Sequence, residues 1–290
     1  MVCKKTKGLY IYAAYPAPAD DSTWYEGYLF AMQKKSFFNR QSCAVTLLCK
    51  PTSATQAMAL VRAAECDGAD AFAIEIQKLP QTERTVDNFR NIIGCAQLPG
   101  MFIDYRDDII HGADDEARQQ YLLMAAEAGA EVIDVMGDLY NPSPRELALD
   151  AATISKQKKL IDEIHRRGAK VLISSHMTNE ALSANEVLEH LQLQAARNAD
   201  IVKIVTRADS EEEAAEAVRT MMLLHRKMDR PFIYLCCGKF ARFSRYIGPQ
   251  LGVAVEFAVH DYDSAGGYNQ PTISSFRKVI DNFHWNITGV

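Results

Sequence analysis

One lysine sits at the centre of an apolar, β-branched run, Asn198-Ala199-Asp200-Ile201-Val202-Lys203-Ile204-Val205-Thr206. The run is rich in Ile and Val and too short for a helix, so it predicts a buried strand. Burying an unpartnered ammonium is costly, and an amine in that setting tends to lose its proton. Lys203 therefore either lines a polar cavity, where lowered basicity suits a Schiff-base nucleophile, or is a structural lysine paired with a buried carboxylate. Other groups that could share its chemistry also close apolar runs. His176 ends Ile173-Ser174-Ser175-His176, Glu75 and Gln77 end Ile74-Glu75-Ile76-Gln77, and Arg106 ends Asp104-Tyr105-Arg106. Arg245 follows the run through Cys236-Cys237-Gly238, and Gln270 follows Gly266 and Gly267 in a late loop. Gathered at one mouth, these groups make chemical sense: the lysine condenses with a ketone, the iminium acidifies the neighbouring carbon, and the histidine moves protons. An arginine beside them would hold a carboxylate or another anion.

Such a gathering needs a scaffold, and from Cys43 onward the chain has a rhythm. Short apolar runs recur over residues 44–49, 71–77, 100–106, 132–137, 170–176, 201–206, 231–238 and 253–260. Their spacing of about 30 residues is that of a βα unit. Gly68-Ala69-Asp70, Gly129-Ala130-Glu131, Gly168-Ala169-Lys170 and Asn198-Ala199-Asp200 repeat at strand entries, where a left-handed turn closes the preceding helix. Between the runs lie amphipathic stretches. Residues 114–129 carry Leu122, Leu123 and Ala126; 155–168 carry Leu160, Ile161 and Ile164; 211–228 carry Ala215, Val218, Met222 and His225. Asp209 or Ser210 is placed to cap the last of these. The expected fold is α/β, a single (β/α)8 TIM barrel over residues 43–290, with an N-terminal extension over 1–42 packed on it as a lid, a plug or a contact surface. In this fold catalytic groups sit at the C-terminal strand ends and point inward, with Glu75 and Gln77 sharing one face by the two-residue period.

Composition narrows the classes further. Apolar residues make up 48% and charged residues 24% of the 290, ordinary for a globular protein. A formal net charge of −5 gives no electrostatic reason to expect nucleic acid or an anionic membrane. No apolar run approaches the roughly 20 residues of a membrane span, and a cytoplasmic setting is expected. The seven cysteines show no CxxC spacing and the histidines no HExxH, so reduced thiols, no metal and no cofactor are expected. No GxGxxG or GxxxxGK follows the first run, against a nucleotide-binding sheet. Lys239, Arg242, Cys236 and Cys237 read as surface charges and strand packing.

These residues together resemble the type I 3-dehydroquinate dehydratases, (β/α)8 barrels that remove water through a lysine Schiff base. The resemblance covers about Cys43 to His284 and is carried by short strand-end motifs. It implies that Lys203 is the imine lysine and His176 the proton carrier, and that Glu75, Arg106, Arg245 and Gln270 contact substrate. It implies a hydro-lyase of the shikimate pathway acting on a small keto acid, and is compatible with a homodimer. Departures from the family pattern are local. Gln77 stands where the family has an arginine, and Ile110 where a glutamate orients the histidine. The turn before Gln270 is lengthened to Ser264-Ala265-Gly266-Gly267-Tyr268-Asn269. Orienting His176 then falls to Asp107, Asp108, Glu75 or a serine, or goes undone. Two further readings follow, a Schiff-base aldolase or dehydratase on a different keto acid, and a catalytically impaired binding homologue.

Overall fold

The computed structural model describes residues 2–6, 9–13, 35–38, 42–106, 114–262 and 270–289. Asp107, Asp108, Ile110, His111, the Ser264 to Asn269 turn and the aromatic residues from Tyr15 to Tyr28 lie outside them. The chain divides into two compact units, residues 1–34 and 35–290. In the first, Val2–Thr6 pairs antiparallel with Leu9–Ala13.

In the second unit, eight parallel strands alternate with helices as a (β/α)8 barrel. The strands are β1 (Ala44–Cys49), β2 (Ala71–Glu75), β3 (Gly100–Ile103), β4 (Val132–Met136), β5 (Lys170–His176), β6 (Ile201–Arg207), β7 (Phe232–Cys237) and β8 (Val255–Ala258). Their order is β8-β1-β2-β3-β4-β5-β6-β7. At the remaining seam the Ala254 N–H donates to the Phe232 carbonyl at 3.0 Å, so the barrel is nearly closed. Among the described residues eight α-helices accompany the strands: α1 (Ala54–Cys66), α2 (Val86–Gly94), α3 (Asp115–Ala128), α4 (Ala151–Arg166), α5 (Ala184–Ala195), α6 (Glu211–Lys227), α7 (Ala241–Ile247) and α8 (Ile273–Ile280). None among the described residues is long and apolar enough to cross a membrane.

Strand alternation sorts the side chains into two apolar bodies. Phe72, Ile74, Phe102, Ile133, Val171 and Val202 point outward and pack under the helices. Ala73, Met101, Val132, Leu172, Ile201 and Ile233 point inward and fill the N-terminal part of the barrel, where Phe37 joins them, 5% exposed. Residues 35–38 thus belong to the barrel unit: the Phe37 N–H donates to Glu131 Oε2 at 3.2 Å, and Lys35 Nζ donates to the Ala69 carbonyl at 3.2 Å. Burial of each of the larger of these side chains stabilises the fold by roughly 1.5–3 kcal/mol. One layer further toward the C-terminal ends four inward positions turn polar, Glu75, Asp134, Ser174 and Lys203, while Ile103 beside them stays apolar.

Asn198 (φ 71°) and Gly129 (φ 99°) adopt the left-handed turn expected at the strand entries. Ser210, with Glu213, forms the capping box of α6. Two expectations are corrected. The second run stops being a strand at Glu75, because Ile76–Lys78 coil into a 3-10 turn. In α6 the buried stripe is Ala214, Ala217, Met221 and Leu224, one residue before the Ala215, Val218, Met222 and His225 expected; Met222 is exposed. Either set satisfies the helical spacing, and the bulkier apolar pair, Met221 and Leu224, takes the core.

Candidate active site

At the C-terminal ends of the strands a cavity of about 220 Å³ opens into the barrel, and its lining includes Glu75, Tyr105, His176, Lys203, Arg245 and Gln270. A larger hollow of about 310 Å³ is lined by Cys43, Pro249, Asp281 and Trp285 near the opposite, N-terminal end of β1. It holds none of these groups, so the chemistry belongs to the smaller cavity.

Lys203 is the third residue of β6, and its side chain is 5% exposed. Its Nζ donates to the Tyr105 hydroxyl at 2.6 Å and lies 3.4 Å from Asp134 Oδ2, with the Phe257 ring centroid at 5.2 Å. The Tyr105 hydroxyl in turn donates to Asp134 Oδ2 at 2.7 Å, and Ser174 Oγ donates to Asp134 Oδ1 at 2.6 Å. Asp134, the third residue of β4, is thus a hydrogen-bonded counter-charge beneath the amine. Both alternatives raised by the sequence meet here: Lys203 has a buried carboxylate partner and also faces a cavity. Burial, then the charge and hydrogen bond of Asp134, push the Tyr105 hydroxyl well above the ordinary tyrosine range, so it stays protonated and serves as a hydrogen-bond donor.

His176 ends β5, and its ring meets Tyr105 edge-on at 4.8 Å between centroids. A single carboxylate oxygen, Glu146 Oε2, accepts from the His176 backbone N–H at 2.7 Å and lies 3.0 Å from Nδ1. Burial alone would raise the Glu146 carboxyl, but the hydrogen bonds and charge of His176, with the charge of Lys203, bring it below the usual carboxylate range. The carboxylate on this histidine therefore comes from Glu146 in the loop after β4, a residue the sequence had not suggested; Asp107 and Asp108 lie outside the described residues.

The substrate-facing candidates divide. Glu75 and Arg245 are buried in the lining, and Gln270 reaches it from the last loop. Arg245 Nη1 lies 3.6 Å from Glu256 Oε2, outside hydrogen-bond range, and its Nε and Nη1 have no hydrogen-bond partner among the described residues. Burial lowers the Arg245 guanidinium and raises the Glu256 carboxyl, each effect partly offset by the other's charge. A buried guanidinium with unmet donors at a cavity wall is a ready anion site. Gln77 is absent from the lining; its Nε2 donates to Glu75 Oε2 at 3.1 Å, because the 3-10 turn breaks the alternation that would have placed it inward. Arg106 is turned away. Its guanidinium holds Asp115 Oδ2 at 2.7 Å and Asp138 Oδ1 at 2.6 Å. The expected third run stops being a strand at Ile103, but the inward order Met101, Ile103 continues to Tyr105 in the segment just after β3, so Arg106 falls on the opposite side and Tyr105 takes the lining position.

Three residues of this site escaped the sequence. Asp134 carried a usable signal, since Val132-Ile133-Asp134-Val135-Met136 isolates one charge in an apolar strand just as the Lys203 run does. Tyr105 follows from alternation once the strand boundary is known. Glu146 has no local signal. Among the described residues no group of three or more His, Cys, Asp or Glu is arranged to hold a metal ion.

Comparisons with known proteins converge on this architecture. A family model described as type I 3-dehydroquinase matches residues 52–286. A 3-dehydroquinate dehydratase of Alkaliphilus oremlandii is 30% identical over 128 residues, which span 44% of this chain and only 49% of that relative. One from Klebsiella pneumoniae subsp. pneumoniae is 26% identical over 214 residues, 73% of this chain and 79% of the relative. Among solved structures, the 3-dehydroquinate dehydratase of Geobacillus kaustophilus superposes with a TM-score of 0.68 at 15% identity, covering 83% of this chain and 91% of that one. The type I enzyme of Clostridium difficile, solved with covalently modified comenic acid, gives 0.68 at 16% identity over 83% and 92%. At these identities the structural likeness concerns the fold.

Proposed function

This chain belongs to the type I 3-dehydroquinase family, and from that premise we propose that it is a hydro-lyase that eliminates water from 3-dehydroquinate, or a related cyclic keto acid, through a Schiff base on Lys203. The observation that carries the proposal is the buried Lys203 amine at the cavity, 2.6 Å from the Tyr105 hydroxyl and backed by Asp134. In this reading Lys203 adds to the ketone and the carbinolamine loses water to give an iminium. Asp134 balances the iminium charge, and the Tyr105 hydroxyl supplies a hydrogen bond beside the reacting oxygen. The iminium acidifies the adjacent C–H, His176 takes that proton, and the same imidazole returns it to the departing hydroxyl. Hydrolysis of the imine then frees the conjugated product and restores the amine. Arg245 anchors the substrate carboxylate, while Glu75 and Gln270 take its hydroxyls. Gln77 acts through Glu75, and Arg106 through the loops it ties together. A cytoplasmic homodimer belongs to the same reading, and light scattering on the purified chain tests the dimer.

A second reading is favoured by one observation, that Tyr105 and not Arg106 faces the cavity. It is a Schiff-base lyase for a keto acid that makes fewer charged contacts than 3-dehydroquinate would. Following formation of the conjugated product by ultraviolet absorbance separates the two. A kcat/KM of about 10⁴ M⁻¹s⁻¹ or above for 3-dehydroquinate supports the first reading. Slower turnover, with an imine still trapped on Lys203, supports the second.

A further inference from the structure

The loop from Gly137 to Asp150, between β4 and α4, is longer than an adjacent strand and helix require, contains Pro142 and Pro144, and is held down by buried polar groups along its length. Arg197, 2% exposed, donates from Nη1 to the Gly137 carbonyl at 2.6 Å and from Nη2 to the Ala148 carbonyl. Gln157 Nε2 donates to the Leu139 carbonyl at 2.9 Å, and the Arg106 guanidinium grips Asp138. Gly137, which opens the loop, lies against its far end: a Cβ there would collide with the Glu146 carbonyl oxygen and stand 2.9 Å from Ser175 Oγ. The Ser175 hydroxyl donates to the Glu146 carbonyl at 2.7 Å and is itself braced by Gln194 Nε2 at 3.0 Å and His190 Nε2 at 2.8 Å. At the end of this clamp Glu146 adopts φ 44°, a left-handed conformation unfavourable for a side chain of its kind. Such a conformation persists where the surroundings over-determine it, and here they aim the carboxylate at one target, the His176 Nδ1 and backbone N–H.

We infer that Glu146 is the positioning residue of His176, fixing the neutral ring as the Nδ1–H tautomer and leaving the Nε2 lone pair to take the substrate proton. An ionised carboxylate can only accept, so Nδ1 must donate. The residue occupying the family's usual orienting position, Ile110, has no acceptor in its side chain. The same loop gives Arg106 its work: by holding Asp138 it anchors the segment that carries Glu146, in place of contacting substrate. The kinetic part of this inference rests on His176 being the proton carrier; the tautomer part does not.

The test compares the full-length chain with Glu146→Ala, which removes the acceptor, and Glu146→Gln, which keeps an acceptor oxygen without the charge. ¹⁵N spectra of histidine-labelled protein, without substrate, report the His176 tautomer. The expected result is Nδ1–H in the parent, a shift toward Nε2–H or a mixture in Glu146→Ala, and recovery in Glu146→Gln. With 3-dehydroquinate, Glu146→Ala should lose about 10²-fold in kcat with KM changed by less than about threefold, and Glu146→Gln should regain part of it. Borohydride should still trap Lys203 in both variants. An unchanged tautomer in Glu146→Ala, or kcat within about threefold of the parent, overturns the inference. So does loss of trapping and turnover together in both variants, which would mark Glu146 as a structural prop. If the parent itself neither turns over nor traps 3-dehydroquinate, the proposed function fails while the tautomer measurement still decides the role of Glu146.

Discussion

His190 offers a prediction whose size follows from its surroundings. It lies on α5, 6% exposed, with Nε2 2.8 Å from the Ser175 hydroxyl under the Glu146 loop. Burial first, then the positive charges of Arg145 and Arg197, lower its imidazole from 6.5 to about 4, against an opposing pull from Glu146. Between those values the unfolded chain binds a proton that the folded chain refuses. His190 therefore contributes its full stabilisation above pH 6.5 and loses it progressively as the pH falls toward 4. At about 1.4 kcal/mol per pH unit the whole gap amounts to about 3 kcal/mol, and about 2 kcal/mol is lost between pH 7.5 and pH 5. Urea unfolding at these two pH values, compared with His190→Gln, isolates the effect. The glutamine can still donate to Ser175 but does not titrate, and the other histidines cancel in the difference. The parent should lose about 2 kcal/mol more than the variant on acidification. Losses equal within about 0.5 kcal/mol would refute the argument that His190 is held neutral.

Tyr105→Phe removes the hydroxyl that links Lys203 to Asp134, a hydrogen bond to a charged group worth about 1.5–3 kcal/mol, so the rate of borohydride-trapped adduct formation should fall about 10- to 100-fold; an unchanged rate would assign Tyr105 to packing alone. Gly137→Ala forces the Glu146 loop off β4, so unfolding by urea should show a loss of about 1–3 kcal/mol together with reduced turnover. Parent-like stability and kcat in that variant would mean that the loop tolerates displacement.

The sequence made the barrel legible because inward positions of several strands are apolar in one layer and polar in the next, and because left-handed residues such as Asn198 mark the entry to several strands. Lys203 and His176 were visible for the same reason: a charge in a β-branched run, or an imidazole closing one, stands out against its neighbours. Boundaries were harder to read. The propensity of Ile76 for strands concealed the 3-10 turn that takes Gln77 out of the lining, and a one-residue difference in where β3 points exchanged Arg106 for Tyr105. Glu146 was beyond reach, since its position depends on Arg197, Gln157 and Arg106, residues 40 or more positions away from it in two cases, meeting around one loop.

The central claim is a covalent one, an imine on Lys203. Borohydride added to the protein with 3-dehydroquinate, followed by peptide mass analysis, should yield a stable adduct on the peptide containing Lys203 and none in Lys203→Ala, which should also lose turnover. His176→Ala should still form the adduct while turning over about 10²- to 10⁴-fold more slowly. Near-normal turnover by Lys203→Ala, or an adduct confined to another lysine, would contradict the account.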